Sequence, residues 1–268
     1  MSLIHALLLG ILQGATEFLP VSSSGHLVIV PYLLGWPDPG LAMDTILHLG
    51  TLVAVVVYFW RELWQLASAA WKSLQTRSLA DPMARLAWGV VVGTIPAAVI
   101  GFLFDDFFEA LFGYPRAAAG FLLGTAALLL LSEYLSKQER TLDALSWKDA
   151  FLVGLAQTLA IAPGLSRSGS TIAAGLLLGY KREESTRFSF FLVVPIVLGS
   201  GLYQILKLAR GGVDMVSGLP LLVGFVAAAV TGYAAIAGLL ALVRRRSLWP
   251  FAVYCALLGS LVLSGVLL

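Results

Sequence analysis

The sequence predicts an all-α integral membrane protein, with six transmembrane helices plus two re-entrant helical hairpins in an inverted-topology repeat. Three observations carry this reading. Only 12% of the 268 residues are charged while 59% are hydrophobic, whereas a soluble domain usually carries about 25% charge. Two of the long apolar stretches are broken in the middle by Pro, Gly and Ser. The two breaks are copies of each other.

Six apolar stretches are long enough to cross a bilayer, which takes roughly 20 residues of helix. They run near 42–60, 86–104, 117–135, 188–207, 219–243 and 250–268. The stretches near 4–34 and 148–179 are interrupted. The first breaks at Leu19-Pro20-Val21-Ser22-Ser23-Ser24-Gly25, the second at Pro163-Gly164-Leu165-Ser166-Arg167-Ser168-Gly169. Pro removes a backbone donor and clashes with the preceding turn, and Gly weakens a helix. Each arm is then too short for a span, which favours a re-entrant hairpin over one kinked helix. Irregular backbone at membrane depth is tolerated where protein buries it or water reaches it.

A shift of 144 residues aligns Gly10 with Gly154, Gln13 with Gln157, Ser22 with Ser166, Ser24 with Ser168 and Gly25 with Gly169. Each copy is followed by three predicted spans. An odd number reverses the second copy relative to the first, and such inverted repeats place a site at their interface near the midplane. The reading is a single membrane domain over 1–268. Repeat 1 covers about 1–135 (hairpin 4–34 plus three spans), and repeat 2 about 148–268 (hairpin 148–179 plus three spans).

The charges orient the chain. If residues 61–85 are cytoplasmic, so are 136–149, 180–187 and 244–249; these segments hold thirteen Lys and Arg, against Arg116, Lys207 and Arg210 on the other side. That is a strong positive-inside bias. The first hairpin then opens outward and the second enters from the cytoplasm. No Lys or Arg precedes Arg61, so the basic start of a signal peptide is missing and the first twenty residues are expected to stay. A net charge of +2 argues against a nucleic-acid surface, and one cysteine, Cys255, excludes a disulfide framework within the chain.

Ionisable groups inside apolar sequence are costly and point to function. Gln13 and Glu17 share one helix face, and Ser22, Ser23, Ser24, Gly25 and His26 follow within nine residues of Glu17. Together they offer an acid, hydroxyls and an imidazole. Arg167 lies in an otherwise uncharged stretch between Ser166 and Ser168, followed by Gly169. A guanidinium matches phosphate bidentately. Ser24-Gly25 and Ser168-Gly169 read as starts of the second arms, where free N–H groups and partial positive charge favour an anion. Asp44 and His48 read as interfacial or helix-packing groups. Asp105, Asp106 and Glu109 read as solvated, and Trp60, Trp64 and Trp249 as belt residues. Two functions fit: hydrolysis of a membrane-borne diphosphate, or transport of a lipid phosphate or small anion. The acid and imidazole beside the anion cradle favour hydrolysis.

The stretch Gln13-Gly14-Ala15-Thr16-Glu17-Phe18-Leu19-Pro20-Val21-Ser22-Ser23-Ser24-Gly25-His26 resembles the first signature of the undecaprenyl-diphosphate phosphatase family, also called the bacitracin-resistance family. Pro163-Gly164-Leu165-Ser166-Arg167-Ser168-Gly169-Ser170-Thr171 resembles its second. The resemblance implies hydrolysis of undecaprenyl diphosphate to the monophosphate in a bacterial inner membrane, recycling the lipid carrier of wall synthesis. It implies a divalent cation, Mg²⁺ or Ca²⁺, with Glu17 as the main protein ligand. Glu17, His26 and Arg167 become catalytic: His26 would activate either water or a serine, with Ser23 the candidate nucleophile if a covalent intermediate forms. Gln13, Ser22, Ser24, Gly25, Ser166, Ser168 and Gly169 would hold substrate. The family allows Glu or Gln four residues before the second acid; here it is Gln13, so one carboxylate remains in that pair. The expected partners are the polyprenyl diphosphate and the bilayer, with a homodimer left open and an active site opening to the periplasm.

Overall fold

The computed structural model describes residues 2–211 and 218–266. Twelve α-helices are assigned there, and no strand occurs among the described residues. The chain starts with α1 (Leu3–Phe18), whose N-cap Ser2 accepts from His5 N–H. The helix stops because Leu19 precedes Pro20 and is extended (φ −66°, ψ 141°). The partner arm α2 (Ser23–Leu34) ends on Gly35 in the left-handed region. The second broken region gives α8 (Trp147–Leu159) and α9 (Arg167–Leu177). Ser146 and Asp149 form a reciprocal capping box at the start of α8.

These four arms hold 16, 12, 13 and 11 residues, each short of the roughly 20 that span hydrocarbon. Five helices are long and apolar enough to cross: α3 (Gly40–Tyr58), α5 (Pro82–Leu103), α7 (Pro115–Leu135), α10 (Arg182–Gly211) and α11 (Gly218–Val243). The sixth predicted span, 250–268, appears as α12 (Trp249–Leu263), 15 residues long; residues 267–268 lie outside the described part. The remaining helices are α4 (Trp60–Thr76) and α6 (Asp105–Leu111). Residues 61–85, a cytoplasmic connection between spans by the charge pattern, are not loop throughout. Residues 60–76 are helical, separated from α3 by Phe59 alone.

Small residues set the closest helix contacts. α1 packs along α11, where a Cβ on Gly10 would strike the Gly224 carbonyl. α8 packs along α5, where a Cβ on Gly154 would strike the Gly93 carbonyl. With no hydrophobic drive between helices in lipid, such close backbone approach supplies the packing. The largest apolar cluster joins Phe18, Phe59, Phe190 and Phe191 with Leu176, Ile172 and Leu239. At the basic end of the bundle, Asp149 accepts from Arg140 at 2.7 Å and from the Tyr180 hydroxyl at 2.8 Å. Burial and the bond to Asp149 push the Tyr180 phenol above its ordinary range. The contact ties both ends of the α8–α9 unit together.

Candidate active site

The two breaks meet. A Cβ on Gly25 would sit 2.9 Å from Gly164 Cα. Gly164 itself holds φ +103° with the Ala118 carbonyl where a Cβ would be, so the position admits only glycine. Thr125 pins this turn from α7: its hydroxyl donates to Gly164 O and accepts from Ser166 N–H, both at 2.9 Å. Ser168 Oγ donates across to Leu19 O at 3.0 Å.

The serines of the two breaks play matching parts. Ser22 Oγ accepts from Gly25 N–H at 3.2 Å and Ser166 Oγ from Gly169 N–H at 3.0 Å, each capping the following helix. Ser22 and Ser24 lie 3.3 Å apart, and Ser166 and Ser168 3.2 Å. Ser22 is the exception in backbone: its φ is +69°, a conformation that costs a non-glycine residue about 1–3 kcal/mol.

Arg167 and Glu17, 150 residues apart, pair where the breaks meet. Arg167 Nη2 donates to Glu17 Oε1 at 2.9 Å, and Nη1 reaches Ser189 O at 3.4 Å. The side chains are only 14% and 5% exposed. Removing one partner of such a buried pair costs roughly 3–5 kcal/mol. The other carboxylate oxygen, Oε2, accepts from Ser23 Oγ at 2.5 Å and from Gln13 Nε2 at 3.0 Å. His48 Nε2 stands 3.7 Å from it, while His48 Nδ1 is fixed on Asp44 O at 2.7 Å. From sequence, Asp44 and His48 read as interfacial or helix-packing groups in preference to lining the site mouth, yet both line the cavity described below. Their spacing of four was visible, but nothing local showed that their face turns toward Glu17.

His26 is placed differently from the other candidates. Its Nδ1 is 2.7 Å from Ser22 O, and its Nε2 2.7 Å from the Tyr254 hydroxyl of α12. A carbonyl only accepts, so Nδ1 carries the proton and the neutral ring accepts from Tyr254. The rings lie 5.6 Å apart and nearly parallel. Both nitrogens are thus engaged away from Glu17, and His26 does not line the cavity described next.

A cavity of about 1010 Å³ begins at Glu17, Ser22, Ser23, Ser24, Ser166 and Arg167. Gln157, Asp44 and His48 also line it, and it extends to Trp36–Leu41 and to Asp105, Glu109 and Pro115. In this lining Asp44 Oδ1 and both amide atoms of Gln157 are buried with no hydrogen-bond partner, and so is Gln13 Oε1, beside Glu17 but outside the lining. The contrast between the aligned glutamines has a simple cause. Gln13 meets Glu17 one turn on, whereas one turn on from Gln157 stands Ile161.

Asp105, Asp106 and Glu109 are the one group among the described residues whose ligand atoms, all within 4.8 Å, could hold a metal ion. Lys207 Nζ already lies 3.0 Å from Asp105 and 2.6 Å from Glu109, so much of that charge is met.

The bacitracin resistance protein BacA family model matches residues 6–261. The chain belongs to the BacA family. Among its BacA relatives, an undecaprenyl-diphosphatase of Pelobacter propionicus is 44% identical over 268 residues, covering 100% of this chain and 98% of the relative. Undecaprenyl-diphosphatases of Geobacter metallireducens and Thermomicrobium roseum are 45% and 43% identical, each alignment covering 98% of both chains.

Proposed function

We propose that this chain hydrolyses undecaprenyl diphosphate to undecaprenyl phosphate and inorganic phosphate, at the meeting point of the two helix breaks. The observation that carries the reading is the buried cluster of Arg167, Glu17 and Ser23 at the head of a cavity. The full-length match to relatives named undecaprenyl-diphosphatase supports the substrate. The activity recycles the carrier of wall synthesis and confers bacitracin resistance.

Arg167 and the N–H groups at the starts of α2 and α9 hold the diphosphate and stabilise charge on the transferred phosphoryl group. Ser23 is the nucleophile: Glu17 takes its proton as Oγ bonds to the terminal phosphorus and undecaprenyl phosphate leaves, and water, giving a proton to the same carboxylate, then displaces Ser23 from that phosphorus to release inorganic phosphate. Glu17 is therefore the general base, and His26 a positioning group that holds the strained Ser22 turn. Ser22, Ser24, Gly25, Ser166, Ser168 and Gly169 shape the two phosphate-facing turns.

The donors beside Glu17 fit a hard divalent cation. Gln13, bonded to Glu17 through Nε2, leaves its Oε1 buried and unpartnered, and oxygen ligands suit Mg²⁺ or Ca²⁺. Glu17 and Gln13 would hold the ion, which supplies charge neutralisation on the diphosphate oxygens.

The repeat reading draws support from the exchange of partners: the first arm of each broken unit packs on a span of the other half, α1 on α11 and α8 on α5. The cavity runs toward Trp36–Leu41 and Asp105–Pro115, the ends opposite the basic segments. This favours an inner-membrane protein whose site opens to the periplasm. The test is phosphate release from purified protein given undecaprenyl diphosphate in detergent, with and without chelator. Release that the chelator stops is expected. Substrate binding with no release would overturn the assignment in favour of transport.

A further inference from the structure

α4 has three distinct faces. Leu66, Ala69 and Ser73 are buried against α5, where Trp88 Nε1 donates to Ser73 Oγ at 3.0 Å. A second stripe, spaced by four, seven and three residues, is apolar and open: Trp60, Trp64, Trp71 and Leu74 are 59%, 72%, 65% and 56% exposed. These spacings fall on one side of a helix. The third face carries Arg61, Gln65 and Lys72, all exposed. Glu62 is neutralised by Arg187 at 2.5 Å, whereas Arg61 and Lys72 make no salt bridge among the described residues.

Between the end of α3 and the start of α4 lies a groove of about 450 Å³, lined by Val56, Trp60, Leu63, Trp64 and Ala67. Its walls are apolar, and it continues the open face of α3, where Val53, Val56 and Val57 are 40%, 42% and 54% exposed. The Arg61 guanidinium stands 5.2 Å from the Trp60 ring centroid at its rim. Hydrocarbon surrounds a crossing helix such as α3, so an acyl chain is the natural filling. An amphipathic helix with Trp on one face and Arg and Lys on the next lies in the interfacial plane and favours anionic lipid.

We propose that the α3–α4 groove is a binding site for an anionic phospholipid, its acyl chain against Trp60 and Trp64 and its phosphate against Arg61, with Lys72 farther along the same face adding positive charge. By the charge bias this lipid belongs to the cytoplasmic leaflet. The site is separate from the cavity at Arg167 and stands whether or not the chain is a phosphatase.

The experiment places the full chain in nanodiscs of phosphatidylcholine with graded phosphatidylglycerol, then counts co-purifying lipids by native mass spectrometry after transfer to detergent. Phosphatidylglycerol should be retained over phosphatidylcholine by about tenfold. The double substitution Arg61→Gln and Lys72→Gln should abolish that preference, and Trp64→Ala should weaken retention of both lipids. Undiminished detergent-phase activity in the double variant confirms that it is folded. Equal retention of the two lipids by the unsubstituted chain, or an unchanged preference in the folded double variant, would overturn the proposal. So would displacement of the lipid by millimolar inorganic phosphate, which would mark a free-anion site.

Discussion

Replacing Arg167 with lysine separates charge from geometry. Lysine keeps the positive charge that Glu17 faces across 2.9 Å, so the buried carboxylate is not stranded. It loses the planar fork that reaches both Glu17 Oε1 and Ser189 O and that matches a phosphoryl group. Losing one preorganised contact to developing charge costs about 3 kcal/mol. At about 1.36 kcal/mol per factor of ten, kcat should fall by roughly 150-fold. The assay is phosphate release at saturating undecaprenyl diphosphate, alongside a melting curve showing that the variant folds. A folded lysine variant with near-normal kcat would refute the reasoning. A rise in KM alone would also refute it, because that is the mark of uniform binding without transition-state stabilisation.

Glu17→Gln should abolish turnover, whereas Gln13→Glu should retain it and lower the Mg²⁺ concentration needed for half-activity; a metal titration on both variants checks this. Tyr254→Phe removes one hydrogen bond from His26 Nε2, worth about 1 kcal/mol of stability, so the stability read from a melting curve should fall by that much with an unchanged pH–rate profile. A shifted acidic limb would instead make His26 the general base. Gly164→Ala would place a methyl group against the Ala118 carbonyl at φ +103°, and a melting curve should show a loss of at least about 1–3 kcal/mol. A cysteine at Pro39, in a chain carrying Cys255→Ser, should react with an impermeant thiol reagent in intact spheroplasts, and one at Ser78 only after lysis. The reverse pattern would invert the topology.

The parts of the fold that were legible in the sequence are those written in local chemistry. Leu19-Pro20 ends α1, and Pro163-Gly164 with its neighbouring serines lies in the turn between α8 and α9, so both breaks were readable, although Pro31, Pro96 and Pro195 stay inside helices. Lone charges in apolar sequence stand out for the same reason, which is how Glu17 and Arg167 were found. α4 was hidden because its apolar residues fall on two faces, one against α5 and one open. Their spacing, with Arg61, Gln65 and Lys72 between them, never makes a continuous apolar run. The orientation of His26 was hidden for another reason. Its second partner, Tyr254, lies 228 residues away, and no local pattern reports which side of α2 that residue approaches. His48 likewise joins Glu17 only through the packing of α3 beside α1.

The Glu17–Arg167 pair explains why two short broken helices are worth keeping at all. A buried ion pair is weak evidence for stability, because removing two charges from water offsets much of their attraction. As a fastener between the breaks it would be inferior to the apolar and glycine contacts already present at Gly25 and Gly164. On the proposed reading it has a different use. Without substrate, the Glu17 carboxylate occupies the anion position in front of Arg167 and keeps the guanidinium satisfied. An arriving diphosphate offers the same guanidinium more negative charge and more acceptor oxygens. Arg167 can then turn to phosphate, while Glu17 retains Ser23, to which it is already joined through its other oxygen. One exchange of partner both binds the substrate and frees the base. Arg167 is the first residue of α9, where free N–H groups face the phosphates, whereas Glu17 lies in the last turn of α1, so the exchange joins the helix start of one break to the helix end of the other.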